Sequence, residues 1–194
     1  MNVAPINVKT LGALVTGIKL ADIDDSDWQK IHEAFLKHAV LIFPAQHLTD
    51  LEQDAFAARF GEIEKLSPVQ KGASVPISNK KADGTLVQPD EQGYKLLRGN
   101  EGWHTDSTYM PLASKAAMLT ALQVPSEGGQ TEFADMRASW ENLDSESQRK
   151  LEGLSAYHSL YYSQEKAGFK HKTDNVYGLH DKGAPLRPLI KTHP

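Results

Sequence analysis

The chain has 194 residues, of which 40% are hydrophobic and 24% charged, a balance that is ordinary for a soluble globular protein and predicts one domain over residues 1–194. Its net charge of −4 argues against a nucleic-acid-binding surface, because nonspecific affinity for phosphate comes from clustered Lys and Arg. The absence of cysteine excludes disulfides, zinc–thiolate sites and cysteine nucleophiles. No apolar stretch approaches the ~20 residues that cross a bilayer, and the start does not resemble a signal peptide, so we expect a cytoplasmic protein without a membrane partner.

Local signals in the N-terminal part of the chain predict short strands followed by a helix. Residues 3–23 alternate apolar runs with glycines, which is typical of strands joined by a turn. Asp24, Asp25 and Ser26 are candidate caps for a helix over residues 27–39, where apolar side chains recur at helical spacing. Residues 40–44, VLIFP, are predicted to form a buried strand that ends at proline.

A second helix is predicted to begin after Thr49. Thr49 and Glu52 have the spacing of a capping box, and an apolar stripe from Leu51 to Phe60 follows before Gly61 closes the helix. The elements predicted beyond it are an irregular segment over 63–98, a buried strand over 116–124, a strand over 131–136 and a helix within 139–154. This order indicates a sheet sandwich or barrel with helices packed on it.

The segment with the most chemical information is GNEGWHTDSTYMP, residues 99–111. His104 and Asp106 are separated by one residue, so on an extended strand both side chains would point to the same face. One imidazole nitrogen and one carboxylate oxygen would then converge, as two corners of the facial triad that binds non-haem iron(II). The motif alone is weak, and a surface His beside a solvated Asp is the alternative.

The surrounding sequence gives the motif a specific context. Besides residues 99–111, the segments that provide this context are VLIFPAQHLTDLEQDAFAARFGEIE, AAMLTALQVPSEGGQTEFADMRASWENL, LEGLSAYHS and RPLIKTHP. Together they resemble the taurine dioxygenase and 2,4-dichlorophenoxyacetate dioxygenase family of Fe(II)/2-oxoglutarate-dependent dioxygenases. The resemblance implies a mainly β fold with flanking helices, a double-stranded β-helix (jelly roll) that is incomplete in this chain.

The resemblance also implies roles for individual residues. His104 and Asp106 match the iron ligands, and Thr131 matches the threonine that hydrogen-bonds 2-oxoglutarate, although a plain strand residue is the alternative. Asn100 matches a substrate contact or, equally, shapes a turn. Tyr162 and Ser163 match positions that line the substrate cavity, with a surface loop as the alternative. His158 is expected to be structural, because family members carry a His there that does not bind the metal.

The function implied is hydroxylation of a small anionic organic acid, of the aryloxyalkanoate or alkylsulfonate type, with decarboxylation of 2-oxoglutarate to succinate. The cofactors implied are Fe(II) and 2-oxoglutarate, the partners are oxygen and the substrate, and homo-oligomerisation is left open. A noncatalytic metal- or ligand-binding jelly-roll module is the alternative from a different class.

The sequence departs from the family pattern toward its C-terminus. The family supplies a third ligand, a distal His, and an Arg that pairs with 2-oxoglutarate from late strands. His171, His180 and His193 do not lie in the expected context, and Arg187 is not placed to replace the missing Arg. We therefore expect this sequence to be part of a longer enzyme.

Overall fold

A computed structural model describes residues 1–6, 10–65, 74–168 and 183–192. Contacts divide the chain into two compact units: Met1–Phe60 with Met118–Lys150, and Gly61–Ala117 with Leu151–Pro194. The single domain expected from the sequence stays a prediction. Among the described residues, no helix combines the length and the apolar character that a membrane span requires.

Eleven helices and strands organise the described part of the chain, apart from two 3-10 turns at Leu20–Asp22 and Ala58–Phe60. In chain order they are β1 (Asn2–Pro5), β2 (Ala13–Thr16), α1 (Asp25–His38), β3 (Leu41–Ile42), α2 (Asp50–Ala57), α3 (Gln92–Gly99), α4 (Met136–Glu141), α5 (Ser145–Leu151), β4 (Ser155–Tyr157), α6 (Leu160–Lys166) and β5 (Leu186–Pro188). These residues hold more helix than strand, and their sheets alone do not display the expected jelly roll.

The first unit contains a three-stranded sheet in the order β1-β2-β3. β1 pairs antiparallel with β2, and β2 pairs parallel with β3 across the connection made by α1. Burial alternates along β2, where Ala13 and Val15 are fully buried and Leu14 is partly exposed, as expected for a sheet with one covered face. The buried strand predicted over 40–44 is wrong in extent, since only two residues pair and Ile42 is exposed.

Helix α1 forms where its local signals predict. The Asp24 side chain accepts a hydrogen bond from the Asp27 main-chain N–H at 2.8 Å, which satisfies one of the free donors at the helix start. Ile31 is fully buried and joins Leu20 and Phe56 in the core of this unit. The helix ends at His38, because the next residue, Ala39, has a φ of 58° that breaks the helical path.

The capping box predicted for α2 is confirmed. The Thr49 hydroxyl accepts from the Glu52 N–H at 3.3 Å, and Glu52 accepts from the Thr49 N–H at 2.7 Å. Phe56 packs edge-on against Trp28 at 6.1 Å between ring centroids, which fastens α2 to α1. The predicted apolar stripe is wrong at its first residue, because Leu51 is 81% exposed.

Three predictions for the middle of the chain are wrong. The strands expected over 116–124 and 131–136 are absent from the structure, which leaves Leu122 and Phe133 exposed. The segment expected to stay irregular up to residue 98 contains α3 instead. The helix expected within 139–154 is divided between α4 and α5, because the Asp144 side chain starts a new helix by accepting from two main-chain N–H groups.

The second unit contains the antiparallel pair β4–β5 and the neighbouring helices α3 and α6. Among the described residues of this unit, the buried side chains are Ser107, Met110 and Gln164, two of which are polar.

Candidate metal centre

The two predicted metal ligands converge. His104 Nε2 lies 3.1 Å from Asp106 Oδ1, and the two side chains are 51% and 60% exposed. The structural reason differs from the one predicted, since residues 101–111 form bends and turns and no strand. The spacing of the two residues therefore predicted their proximity correctly, although the strand expected to produce it is not formed by residues 101–111.

The tautomer of His104 suits metal binding. Its Nδ1 lies 2.7 Å from the carbonyl oxygen of Gly102, and a carbonyl can only accept, so Nδ1 carries a hydrogen. With the hydrogen on Nδ1, Nε2 is the ring nitrogen that would face a metal ion shared with the Asp106 carboxylate; without a metal, the same 3.1 Å separation is that of a direct His–Asp ion pair. Metal-binding histidines almost always donate their second ring N–H in this way.

The distance between the two donors also fits a metal ion. Protein nitrogen and oxygen ligands bind at about 2.0–2.2 Å, and two such donors at right angles around an octahedral ion stand about 3 Å apart. The separation of 3.1 Å agrees with neighbouring positions on one metal. The pair is thus suited to a divalent ion without rearrangement of either side chain.

A complete ligand set is not seen within the described residues, where no group of three His, Cys, Asp or Glu could hold a metal. His158 is partly buried, and its main-chain N–H donates to the Pro185 carbonyl at 3.0 Å. His171, His180 and His193 lie outside the described residues. Arg187 donates hydrogen bonds to main-chain carbonyls of the second unit, and the expectation that it does not replace the family Arg stays a prediction.

Asn100 is held by a residue that the sequence did not reveal. Asn100 follows α3, and its Oδ1 accepts a hydrogen bond from Gln164 Nε2 at 3.0 Å. Gln164 is only 2% exposed, and its Oε1 is buried without a hydrogen bond from any described residue. No local pattern marks this contact, because 64 residues separate its partners.

Tyr162 and Ser163 are exposed on α6, beside the buried Gln164. The Tyr162 ring is 64% exposed, with Lys166 Nζ 5.4 Å from its centroid. The Ser163 hydroxyl donates to the Leu160 carbonyl within the helix at 2.9 Å. Both roles at the substrate stay predictions.

Thr131 is exposed in the first unit, after the turn formed by Gly128 and Gly129, which have φ values of 74° and 69°. The ligand pair belongs to the second unit. The role of Thr131 at 2-oxoglutarate therefore also stays a prediction.

Residues 2–194 match the family described as taurine catabolism dioxygenase TauD, TfdA family. The chain is 49% identical over 199 residues to the (S)-phenoxypropionate/alpha-ketoglutarate-dioxygenase of Sphingobium herbicidovorans, covering 100% of this chain and 67% of that protein. It is 39% identical over 154 residues to the alkylsulfatase of Acinetobacter baylyi, covering 78% of this chain and 45% of that protein.

A solved structure is similar along the whole chain. The crystal structure of AAD-2 in complex with Mn(II) and N-oxalylglycine matches with a TM-score of 0.83 and 32% identity, covering 100% of this chain and 68% of that one. The chain thus spans about two thirds of the length of its first relatives. The chain belongs to the TauD/TfdA family of dioxygenases, which confirms the family expected from the sequence.

Proposed function

We propose that the protein containing this chain is an Fe(II)/2-oxoglutarate-dependent dioxygenase that hydroxylates a small aryloxyalkanoic acid. The observation that carries the proposal is the 3.1 Å approach of His104 Nε2 to Asp106 Oδ1, with the imidazole already fixed by the Gly102 carbonyl. The relatives supply the reaction class, since the enzyme of S. herbicidovorans is a phenoxypropionate/alpha-ketoglutarate dioxygenase. The likeness to AAD-2 supports a jelly roll as the fold of the complete protein.

In this proposal His104 and Asp106 hold the iron, together with a third ligand from elsewhere in the protein. Bound iron(II) supplies oxidation with molecular oxygen, in which one oxygen atom enters a substrate C–H bond and the other enters the succinate formed from 2-oxoglutarate as carbon dioxide leaves. The Gly102 carbonyl keeps the His104 proton on Nδ1, which leaves Nε2 unprotonated for the metal. Thr131 donates its hydroxyl hydrogen to the distal carboxylate of 2-oxoglutarate.

Asn100 is the proposed contact for the substrate carboxylate. Because its Oδ1 is occupied by Gln164, its amide presents Nδ2, a hydrogen-bond donor that suits an anion. Asn100 is exposed, so an anion can reach that donor. Tyr162 and Ser163 are proposed to line the same side of the cavity.

An alkyl sulfate is the second candidate substrate, because the alkylsulfatase of A. baylyi is a relative at 39% identity. The aryloxyalkanoate is favoured by the higher identity of 49% over the whole chain. The noncatalytic jelly-roll module has no support among these relatives. Absence of nucleic-acid binding, a cytoplasmic location and homo-oligomerisation stay predictions.

The test is to supply the full-length protein with iron(II), 2-oxoglutarate and oxygen, and to offer either 2-phenoxypropionate or an alkyl sulfate. We expect succinate in proportion to phenol with the first compound, because hydroxylation beside the ether oxygen gives a product that collapses to phenol and a 2-oxo acid. His104→Ala should remove both products. Sulfate release without phenol would favour the second candidate.

A matched control is His47→Asn. His47 is an exposed histidine of the first unit with a φ of 49°, a backbone conformation that asparagine tolerates. This variant should retain iron-dependent turnover. Equal activity in His104→Ala and the unaltered protein would refute the metal-ligand assignment, whichever substrate is used.

A further inference from the structure

The loop that follows the metal motif adopts a backbone that needs support. Ser107, directly after Asp106, has a φ of 57° and is 6% exposed. A positive φ is uncommon outside glycine and persists where surrounding contacts enforce it. The main-chain N–H of Met110 donates to the Ser107 carbonyl at 3.0 Å, which closes a tight turn immediately after the ligand.

Glu64 holds this loop at both ends. Its Oε2 accepts hydrogen bonds from the Ser107 hydroxyl at 2.6 Å and from the Ser114 hydroxyl at 2.8 Å. Hydroxyl bonds to a carboxylate are about twice as strong as those between neutral groups. The second oxygen, Oε1, is buried and accepts from no described residue. A single carboxylate therefore ties the two ends of residues 107–114 together.

Arg187 holds the same loop through its main chain. From β5, the guanidinium donates through Nε to the Thr108 carbonyl at 3.2 Å and through one terminal nitrogen to the carbonyls of Met110 and Pro111, the latter at 3.1 Å. β5 is itself paired with β4, so the arginine projects from an anchored strand. Its planar fork of donors can reach several carbonyls at once, which a lysine ammonium cannot match in geometry.

We propose that Glu64 and Arg187 are positioning residues that keep Asp106 at its metal-binding distance from His104. This inference rests on the proposed function, because it assigns the pair to a metal. Within the described part of the chain, Glu64 and Arg187 make no hydrogen bond or ion pair with His104 or Asp106, and both act on the turn that begins one residue after Asp106. Groups that hydrogen-bond directly to metal ligands typically change metal affinity by about ten- to a hundredfold when removed, and groups that act through the loop should have a smaller effect.

The experiment measures the dissociation constant of Mn(II) on the full-length protein, from the electron paramagnetic resonance signal of the free ion. Mn(II) replaces iron(II) because it is stable in air. We expect Arg187→Met to weaken binding by up to about tenfold, the lower end of the range for groups bonded to the ligands themselves. Arg187→Lys should lie between that variant and the unaltered protein, since it keeps one donor group. Glu64→Gln keeps an accepting oxygen and should weaken binding less than Glu64→Ala.

Thr49→Ala is the control for a general loss of stability. It removes a helix cap in the first unit, so it should lower the unfolding temperature and leave the Mn(II) constant unchanged. Unfolding of each metal-free variant is measured alongside, and affinities are compared well below those temperatures. Should Arg187→Met fail to fold, Arg187→Lys and Ser114→Ala provide the comparison.

The outcomes separate the two proposals. Weaker Mn(II) binding in the loop variants, with the control unchanged, supports the positioning role. Unchanged Mn(II) affinity in Arg187→Lys and Ser114→Ala, despite a lower unfolding temperature, would leave only a structural role and overturn the inference. Failure of the unaltered full-length protein to bind Mn(II) would overturn the proposed function and the inference together.

Discussion

Gly99→Ala should destabilise the protein, although alanine is the better helix former. A Cβ at residue 99 would lie 2.0 Å from Gln164 Oε1 and 2.7 Å from its Cδ, which is closer than any atoms pack. Gln164 is 2% exposed and cannot move aside without losing its hydrogen bond to Asn100. A side chain at residue 99 therefore forces the amide end of Gln164 to shift.

The expected magnitude follows from three terms. Forcing a methyl group into a packed contact costs about 1–3 kcal/mol, and loss of the hydrogen bond from Gln164 to Asn100 costs about 0.5–1.5 kcal/mol. Replacing a helical glycine by alanine returns at most about 1 kcal/mol, and less at Gly99 because it is the last residue of α3. The net loss is therefore roughly 0.5–4.5 kcal/mol.

The assay is urea unfolding of the full-length protein. The effect of Gly99→Ala is measured in the otherwise unaltered protein and again in the Gln164→Ala variant. When Gln164→Ala removes the obstructing side chain, the same Gly99→Ala change should become neutral or stabilising by up to about 1 kcal/mol. The coupling between the two residues should then reach about 1.5–4.5 kcal/mol, because the helix-propensity gain is the same in both backgrounds and cancels. An equal effect of Gly99→Ala in both backgrounds would show that the two helices do not pack as described.

Two further predictions concern cosubstrate binding and pH. Thr131→Val keeps the shape of the side chain but removes a hydrogen bond to a charged group worth about 1.5–3 kcal/mol. The apparent affinity for 2-oxoglutarate, measured by succinate formation, should fall by about ten- to a hundredfold, and an unchanged dependence would leave Thr131 without that role. Hydrogen bonds from the main-chain N–H of Thr49, and then from its hydroxyl, lower the pKa of Glu52. The stability that ionised Glu52 adds is therefore complete above its ordinary pKa of about 4.3 and is lost as the pH falls through the lower folded value. Glu52→Gln should lower the unfolding midpoint at pH 7 and have little effect near pH 3, so a difference independent of pH would contradict the role of the charge.

The helices that the sequence predicted correctly depend on neighbours in the chain. Asp24 caps α1 through Asp27, and Thr49 caps α2 through Glu52, each across three residues. These contacts form wherever the local sequence is present, so pattern alone could place them. Leu51 is exposed although it lies in the predicted apolar stripe. Apolar spacing therefore predicts where a helix forms more reliably than it predicts which of its side chains are buried.

The strands predicted over 116–124 and 131–136 failed for a physical reason. A strand needs a partner that accepts and donates its main-chain hydrogen bonds, and an apolar run says nothing about where that partner lies. In the described structure these segments have no ladder, and Leu122 is 88% exposed. Their apolar composition therefore predicted burial that the described residues do not provide.

At the candidate site, too, contacts between residues close in the sequence could be predicted, and contacts between residues far apart in the sequence could not. The proximity of His104 and Asp106 could be predicted from the sequence, because residues at positions i and i+2 can meet in a bend as well as on a strand. Glu64 is 43 residues from Ser107, and Arg187 is 79 residues from Thr108, so no local pattern connects them to the motif. The sequence therefore predicts the candidate metal ligands, and the contacts of the loop that bears them are seen only in the folded chain.

Because no strand carries the motif, other contacts must fix the direction of the His104 and Asp106 side chains. In a sheet, main-chain hydrogen bonds to both neighbours would fix the direction of each ligand. Residues 101–111 have no such ladder, and His104 and Asp106 are half exposed, so packing around the side chains is also slight. The constraint has to come from side chains that bind the loop itself. Glu64 restrains the loop by accepting hydrogen bonds from its hydroxyls, and Arg187 restrains it by donating hydrogen bonds to its main-chain carbonyls.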